Sequence, residues 1–420
     1  PVAEKLFADN SQGLGSEQLK LQQASAAEDR GEYSNARDLF RRIASKYDDG
    51  AGEMTVPFFY RARAAGARCL FRLSTDLEQG TRDAAGEIRA LLADARSDRD
   101  VSGESSLRFE LGRIYWSDRG KNPSSAIEAL KPVLEELSGS SVYREGAILL
   151  LHEILCAEGQ LVEAEKSLTE IRKNWSTEHS LVAGTYYLIE ACKVSSTVAN
   201  SRRAGELVLE WIQLPGSQFD QAAPAVKLGL ASILIDAKFS NEAATMLAEA
   251  QNDAKGAGDP VLDIGVAYFL AKAANAAGKH RDALASLDDL IDKYADDTYN
   301  GAYPDAPFVL VQRASANRGL YEADRDDSRL EMMSDDLRSA LAILDQRRQS
   351  LLFGGGIPPL FERDYWSTWL QYLEVMKARK QCEQVIGLIG SRRLKAGGET
   401  SAFAPESLQP RFDQLEKDCQ

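Results

Sequence analysis

The residues able to do chemistry are few and scattered. The three histidines, His152, His179 and His280, lie far apart in the 420-residue chain. His152-Glu153 opens like the helical zinc signature H-E-x-x-H, which needs a second imidazole one turn on. Cys156 stands there instead. A zinc site requires several ligands at fixed spacing, so His152 reads as a helix-packing residue. The five cysteines, Cys69, Cys156, Cys192, Cys382 and Cys419, contain no C-x-x-C pair, which argues against a zinc ribbon or a thioredoxin-type site. Neither G-x-x-x-x-G-K-[ST] nor G-x-S-x-G occurs, and Gly354-Gly355-Gly356 reads as a connector. Asp296, Asp297 and Asp305, like Asp324, Asp326 and Asp327, lack the spacing of a calcium loop. They read as solvated loop acids. Asn174-Trp175-Ser176 matches a glycosylation sequon, which reads as chance unless the protein is a secreted eukaryotic one. The expectation is a non-enzyme with no metal and no cofactor.

Residues suited to binding are more concentrated. The stretch 55–73 carries Phe58, Phe59, Tyr60, Arg61, Arg63, Arg68, Phe71 and Arg72. Arg61, Arg68 and Arg72 follow at seven and four residues, which places them on one face of a helix. Such a stripe stands out in a chain of formal charge −14. As a site it would take an acidic peptide or a carboxylate, because the guanidinium fork matches that geometry. As a solvated face it would pair with neighbouring acids. The overall acidity argues against general nucleic-acid binding, which needs a local excess of Lys and Arg. Trp366, Trp369, Tyr372 and Leu373 form a second helical stripe. It serves either core packing or an aromatic anchor for a partner.

These residues sit on a repeating helical frame. Gly31 is followed by Ala36, Phe40 and Ile43; Gly159 by Ala164, Leu168 and Ile171; Gly278 by Ala283, Leu287 and Leu290. The last three of each set occupy one helix face. Weaker copies centre on Ala85, Ala126, Ala204, Ala243 and Ala340, and the spacing is most regular, 38 to 40 residues, from Ala126 to Ala283. Asn122-Pro123 and Asp259-Pro260 mark helix starts, and Thr81 and Ser240 stand where an N-cap is expected. No apolar run approaches the roughly 18 to 20 residues of a membrane span.

The pattern resembles the tetratricopeptide repeat. There the glycine marks the turn between two helices and the alanine their contact. Leu111-Gly112-Arg113-Ile114-Tyr115 is similar to the first half of that motif, with weaker matches at Leu230-Ala231 and Leu270-Ala271. The resemblance implies an all-α solenoid of antiparallel helix pairs, a right-handed superhelix whose first helices line a concave groove. The family's carboxylate-clamp positions hold Leu149 and Glu153 in one repeat, which do not fit. In another they hold Tyr268, Lys272 and Asn275, which remain a groove candidate.

The expected organisation is a repeat array over 1–296 and a divergent helical repeat and capping region over 297–420. Residues 295–308 and the Gly354–Pro359 breaker read as loops. The expected function is a non-catalytic scaffold that binds a protein or peptide, acidic in character. Two alternatives stand beside it: an envelope-assembly or glycan-binding component, and an enzyme using acids such as Asp305 or Asp364. The chain begins at Pro1, so upstream processing or truncation is expected. Cytoplasmic and periplasmic locations both stay open, as do oligomeric state and partner identity.

Overall fold

The structure is a computed structural model, and it describes residues 14–45, 56–117, 121–135, 141–175, 178–195, 197–257, 260–294, 306–353, 356–398 and 401–420. Among these the regular structure is helical and no strand occurs. Backbone contacts divide the chain into two compact units, Pro1–Ser217 and Gln218–Gln420. The boundary expected at 296/297 therefore falls inside the second unit.

The first unit holds five helix pairs: α1 (Leu14–Asp29) with α2 (Tyr33–Ser45), α3 (Val56–Leu73) with α4 (Leu77–Ser97), α5 (Val101–Trp116) with α6 (Pro123–Glu135), α7 (Ser141–Ala157) with α8 (Leu161–Asn174), and α9 (Glu178–Val194) with α10 (Val198–Trp211). Besides its own partner, each of α3, α5 and α7 packs against the first helix of the next pair. The first helices thus form one layer and the second helices another. The second unit repeats the scheme with α11 (Pro224–Asp236) and α12 (Ser240–Ala257), α13 (Pro260–Ala276) and α14 (His280–Tyr294), α15 (Ala306–Asp324) and α16 (Ser328–Phe353), α17 (Pro359–Ala378) and α18 (Cys382–Ala396), and a last helix, α19 (Gln409–Cys419). Pairing continues through α15 and α16, within the region expected to be a modified repeat.

The repeat signature explains this packing. Gly31, Gly159 and Gly278 all take left-handed backbone angles, φ 77°, 69° and 77°, a region glycine enters without strain. Ala36, Ala164 and Ala283 are fully buried where paired helices touch, and the large residues after them are buried too. Ala85, Ala126, Ala204, Ala243 and Ala340 are equally buried. Four other turns within helix pairs use a cation in the left-handed position, Lys121, Lys238, Arg325 and Lys380, and Arg99 does so between α4 and α5. Counted from Arg325, the position equivalent to Ala283 in the next pair is Leu330 rather than Ala340. Leu330 is buried at the start of α16.

Two expected caps are corrected. Asp76 caps α4 by accepting from the Gln79 N–H at 3.0 Å, whereas Thr81 lies inside that helix and donates to the Leu77 carbonyl. Ser240 is the first residue of α12 rather than its cap. Asn122 does cap α6, accepting from Ser125 N–H at 3.1 Å. Asp259 and Ser176, and with them the second cap and the sequon, lie outside the described residues. So do residues 295–305 of the expected loop, Gly354 and Gly355.

Candidate functional site

In the first unit the layer of first helices encloses a cavity of about 420 Å³. Helix α1 supplies Gln22, Ser25 and Asp29; α3 supplies Arg61, Ala65 and Arg68; α5 supplies Ser106, Phe109, Glu110 and Arg113; α7 supplies Tyr143. The small residues are what let these helices approach. A Cβ on Gly146 of α7 would stand 2.8 Å from the Phe109 ring, and one on Gly112 of α5 would stand 2.8 Å from Leu130.

The floor is an ion network. Arg68 grips Glu28 through two bonds, Nε to Oε1 at 2.5 Å and Nη2 to Oε2 at 2.6 Å. Its third nitrogen pairs with Glu110, which also receives Arg113 at 3.2 Å. Burial alone would raise the Glu110 carboxyl, but Arg68 and Arg113 overcome it and hold the group below the usual carboxylate range. Burial likewise works against the Arg68 charge, and Glu110 and Glu28 more than offset it. One wall is aromatic, with Phe109 and Tyr143 centroids 6.4 Å apart and the Arg113 guanidinium 5.8 Å from the Phe109 centroid. Arg61 is exposed and has no ion-pair partner among the described residues. Arg61, Arg68 and Arg113 face Glu28, Asp29 and Glu110, so the formal charges around the groove balance.

The structure therefore splits the basic stripe of α3. Arg61 and Arg68 share the cavity, but Arg68 is spent on its two glutamates. Arg63 turns to α4, pairing with Glu87 at 3.2 Å and lying over Phe59. Arg72 is exposed and does not line the cavity. Tyr60 is 2% exposed, and its hydroxyl donates to Asp98 at 2.6 Å. It is a core residue, and its expected place in a groove is corrected. The Phe58 side chain lies outside the description. Sequence reading missed Phe109, Arg113 and Tyr143. It also missed a signal for the ion pairs: Arg68–Glu28, Arg203–Glu165 and Arg172–Glu210 join residues 40, 38 and 38 apart. Opposite charges one repeat apart mark neighbouring repeats.

The second unit has its own cavity of about 420 Å³, lined in part by Lys272, Asn275, Asp236, His280, Arg318 and Glu322. Lys272 Nζ bonds Asp236 at 2.9 Å, and His280 Nδ1 donates to Asn275 Oδ1 at 2.7 Å. Tyr268 does not line the cavity. It is 9% exposed and packs with Leu287 and Val309. The stripe on α17 is packing. Trp366 is buried with its Nε1 donating to Glu362 at 2.8 Å, and it meets Phe403 and Phe412 ring to ring. Trp369 is half-buried beneath Arg392, 4.4 Å from its ring centroid, and stands edge-on to Tyr372.

The remaining chemical candidates are structural. His152 is fully buried. Its Nε2 donates to the Gly184 carbonyl at 2.8 Å, and its Nδ1 meets Ser167 Oγ at 2.7 Å, tying α7 to α8 and α9. Burial pushes its pKa down, so the ring is neutral near pH 7. Asp324 pairs with Arg329 at 2.9 Å, and Asp326 accepts from Ser328 N–H at 3.0 Å. Both organise the turn before α16. Asp296, Asp297 and Asp305 lie outside the described residues. Asp364 lies 3.4 Å from Arg363 and does not line the second-unit cavity. No group of three or more His, Cys, Asp or Glu placed to hold a metal ion occurs among the described residues. No described helix is long and apolar enough to cross a membrane.

A tetratricopeptide-repeat family model matches residues 19–50, which cover most of α1 and all of α2. The apo form of RapI aligns over 96% of this chain and 97% of its own, at 11% identity and a TM-score of 0.34. A Rap protein complexed with competence and sporulation factor aligns over 87% and 98%, at 13% identity and a TM-score of 0.30. A circular tandem repeat protein with novel repeat topology aligns over 96% and 94%, at 14% identity and a TM-score of 0.19. No curated protein matches. The family match thus covers the first helix pair, and the buried alanines and left-handed turns show the same kind of pairing in later, described parts of the chain.

Proposed function

We propose that the first unit is a non-catalytic scaffold that binds a carboxylate-bearing peptide segment of a partner protein between α1, α3, α5 and α7. The observation that carries this reading is Arg61, an exposed guanidinium without an ion-pair partner among the described residues, on a cavity whose other cations are already engaged. A ligand carboxylate gains a charge-assisted bond there without displacing an internal partner. Phe109 and Tyr143 offer a flat apolar surface for a neighbouring side chain, the kind of contact that carries affinity at interfaces. The balanced charge of the groove argues against a polyanion, which needs many cations at once. It favours a ligand of mixed character whose carboxylate meets Arg61 and whose N–H groups meet Asp29.

The test is fluorescence anisotropy with synthetic peptides that pair one Glu with one Trp or Leu, alongside their Gln counterparts. A hydrogen bond to a charged group contributes about 1.5–3 kcal/mol, so Arg61→Glu is expected to weaken the Glu peptides at least tenfold. Lys131→Glu, on an exposed position of α6, is expected to leave them unchanged. Equal loss in both variants, or Gln peptides binding as well as Glu peptides, would overturn the reading.

A further inference from the structure

The C-terminal cysteines meet at one corner of the second unit. Cys382 is the first residue of α18, and Cys419 is the last residue of α19. Leu415 and Val385 belong to the same apolar core, and Cys419 packs against it. Lys377, at the end of α17, bonds Asp418 at 2.7 Å. The turn from α17 to α18 closes with Gln381 N–H on the Met376 carbonyl at 3.0 Å. These contacts, with the packing of α18 on α19, bring the last turn of α19 and its Cys419 to the start of α18, where Cys382 stands. Both are partly exposed, whereas Cys69, Cys156 and Cys192 are buried, and all five are free thiols.

We propose that Cys382 and Cys419 form a reversible dithiol–disulfide site that takes oxidising equivalents from small-molecule disulfides. One cysteine thiolate attacks a sulfur of oxidised glutathione, forming a mixed disulfide and releasing one glutathione thiolate. The second cysteine thiolate attacks the protein sulfur of that mixed disulfide and releases the other glutathione. The protein loses two electrons and two protons, and two glutathione molecules leave as thiols. The ring so formed ties α18 to α19, stabilising the second unit chiefly by restricting its unfolded chain. Burial and the adjoining Cys382 push the Cys419 thiol up to about 11, so closure accelerates as pH rises towards that value.

The test is incubation of the full chain with oxidised glutathione at about pH 8.5, where more thiol is ionised, followed by non-reducing peptide mapping. The expected result is one intramolecular link between Cys382 and Cys419, loss of two of the five thiols, and a melting temperature that rises and returns on adding dithiothreitol. Cys419→Ser is expected to leave Cys382 carrying glutathione as a stable mixed disulfide. Wild-type protein carrying glutathione on both residues without a link would overturn the proposal. So would both thiols remaining unmodified, or a link formed between Cys156 and Cys192 instead.

Discussion

Replacing Arg68 by Met removes the cation that holds α1, α3 and α5 together. Its side chain is 15% exposed, and those of Glu28 and Glu110 are 13% and 12% exposed. The variant leaves Glu28 without its fork and Glu110 with only Arg113 at 3.2 Å. Breaking a buried ion pair on one side costs about 3–5 kcal/mol, because an uncompensated charge stays in the interior. The loss depends on pH in a defined direction. In the wild type Glu110 ionises below its unfolded value, so it contributes stability above about pH 4.3 that disappears as pH falls through its folded pKa. In the variant burial is weakly opposed, and the Glu110 carboxyl rises and takes up a proton. The gap between the two proteins is therefore widest at neutral pH and narrows in acid. Amide hydrogen exchange of α3 and α5 reads this directly, since it reports the opening free energy of one region of a repeat protein. A loss below about 1 kcal/mol, the range of an exposed pair, would refute the reasoning. A loss that grows in acid would also refute it.

Three further outcomes follow from single residues. His152 is held neutral by burial, so below about pH 6.5 the unfolded chain binds more protons than the folded one and stability falls as the pH is lowered; pH-dependent unfolding of His152→Gln is expected to lose that slope. Gly112→Ala places a methyl 2.8 Å from Leu130 where α5 meets α6, and denaturant unfolding is expected to show a loss of about 1–3 kcal/mol, as for other overpacked sites. Lys238→Gly relieves a left-handed turn at φ 70°, where an L side chain costs roughly 1–2 kcal/mol, so the melting temperature of the second unit is expected to rise.

The frame was legible because its strongest constraints are local. A glycine at φ 77° and an alanine five residues later announce a helix pair from sequence alone, as at Gly31 and Ala36. Where Lys121, Lys238, Arg325 or Lys380 adopts a positive φ in such a turn, nothing in the side chain declares it. That is why the pair of α15 and α16 was anchored on Ala340 instead of Leu330. The site was less legible, because spacing on one helix shows which arginines share a face but not what stands opposite. Arg68 belongs to Glu28 and Glu110 on the helices to either side, and Tyr60 belongs to Asp98. Trp366 reads equally as anchor or core until Phe403 and Phe412, from a later part of the chain, close over it. A substitution set that includes Arg68 would disturb folding along with binding, so Arg61 alone separates the two.

The most direct measurement of the central claim is a charge swap across the groove. Affinities are determined for a Glu-containing peptide and its Lys counterpart, each against wild type and Arg61→Glu. The account predicts that the wild type prefers the Glu peptide and that Arg61→Glu reverses the preference, leaving the apolar contact with Phe109 and Tyr143 unchanged. Parallel changes for both peptides, or no change for either, would contradict it and remove the cavity between α1, α3, α5 and α7 as the binding site.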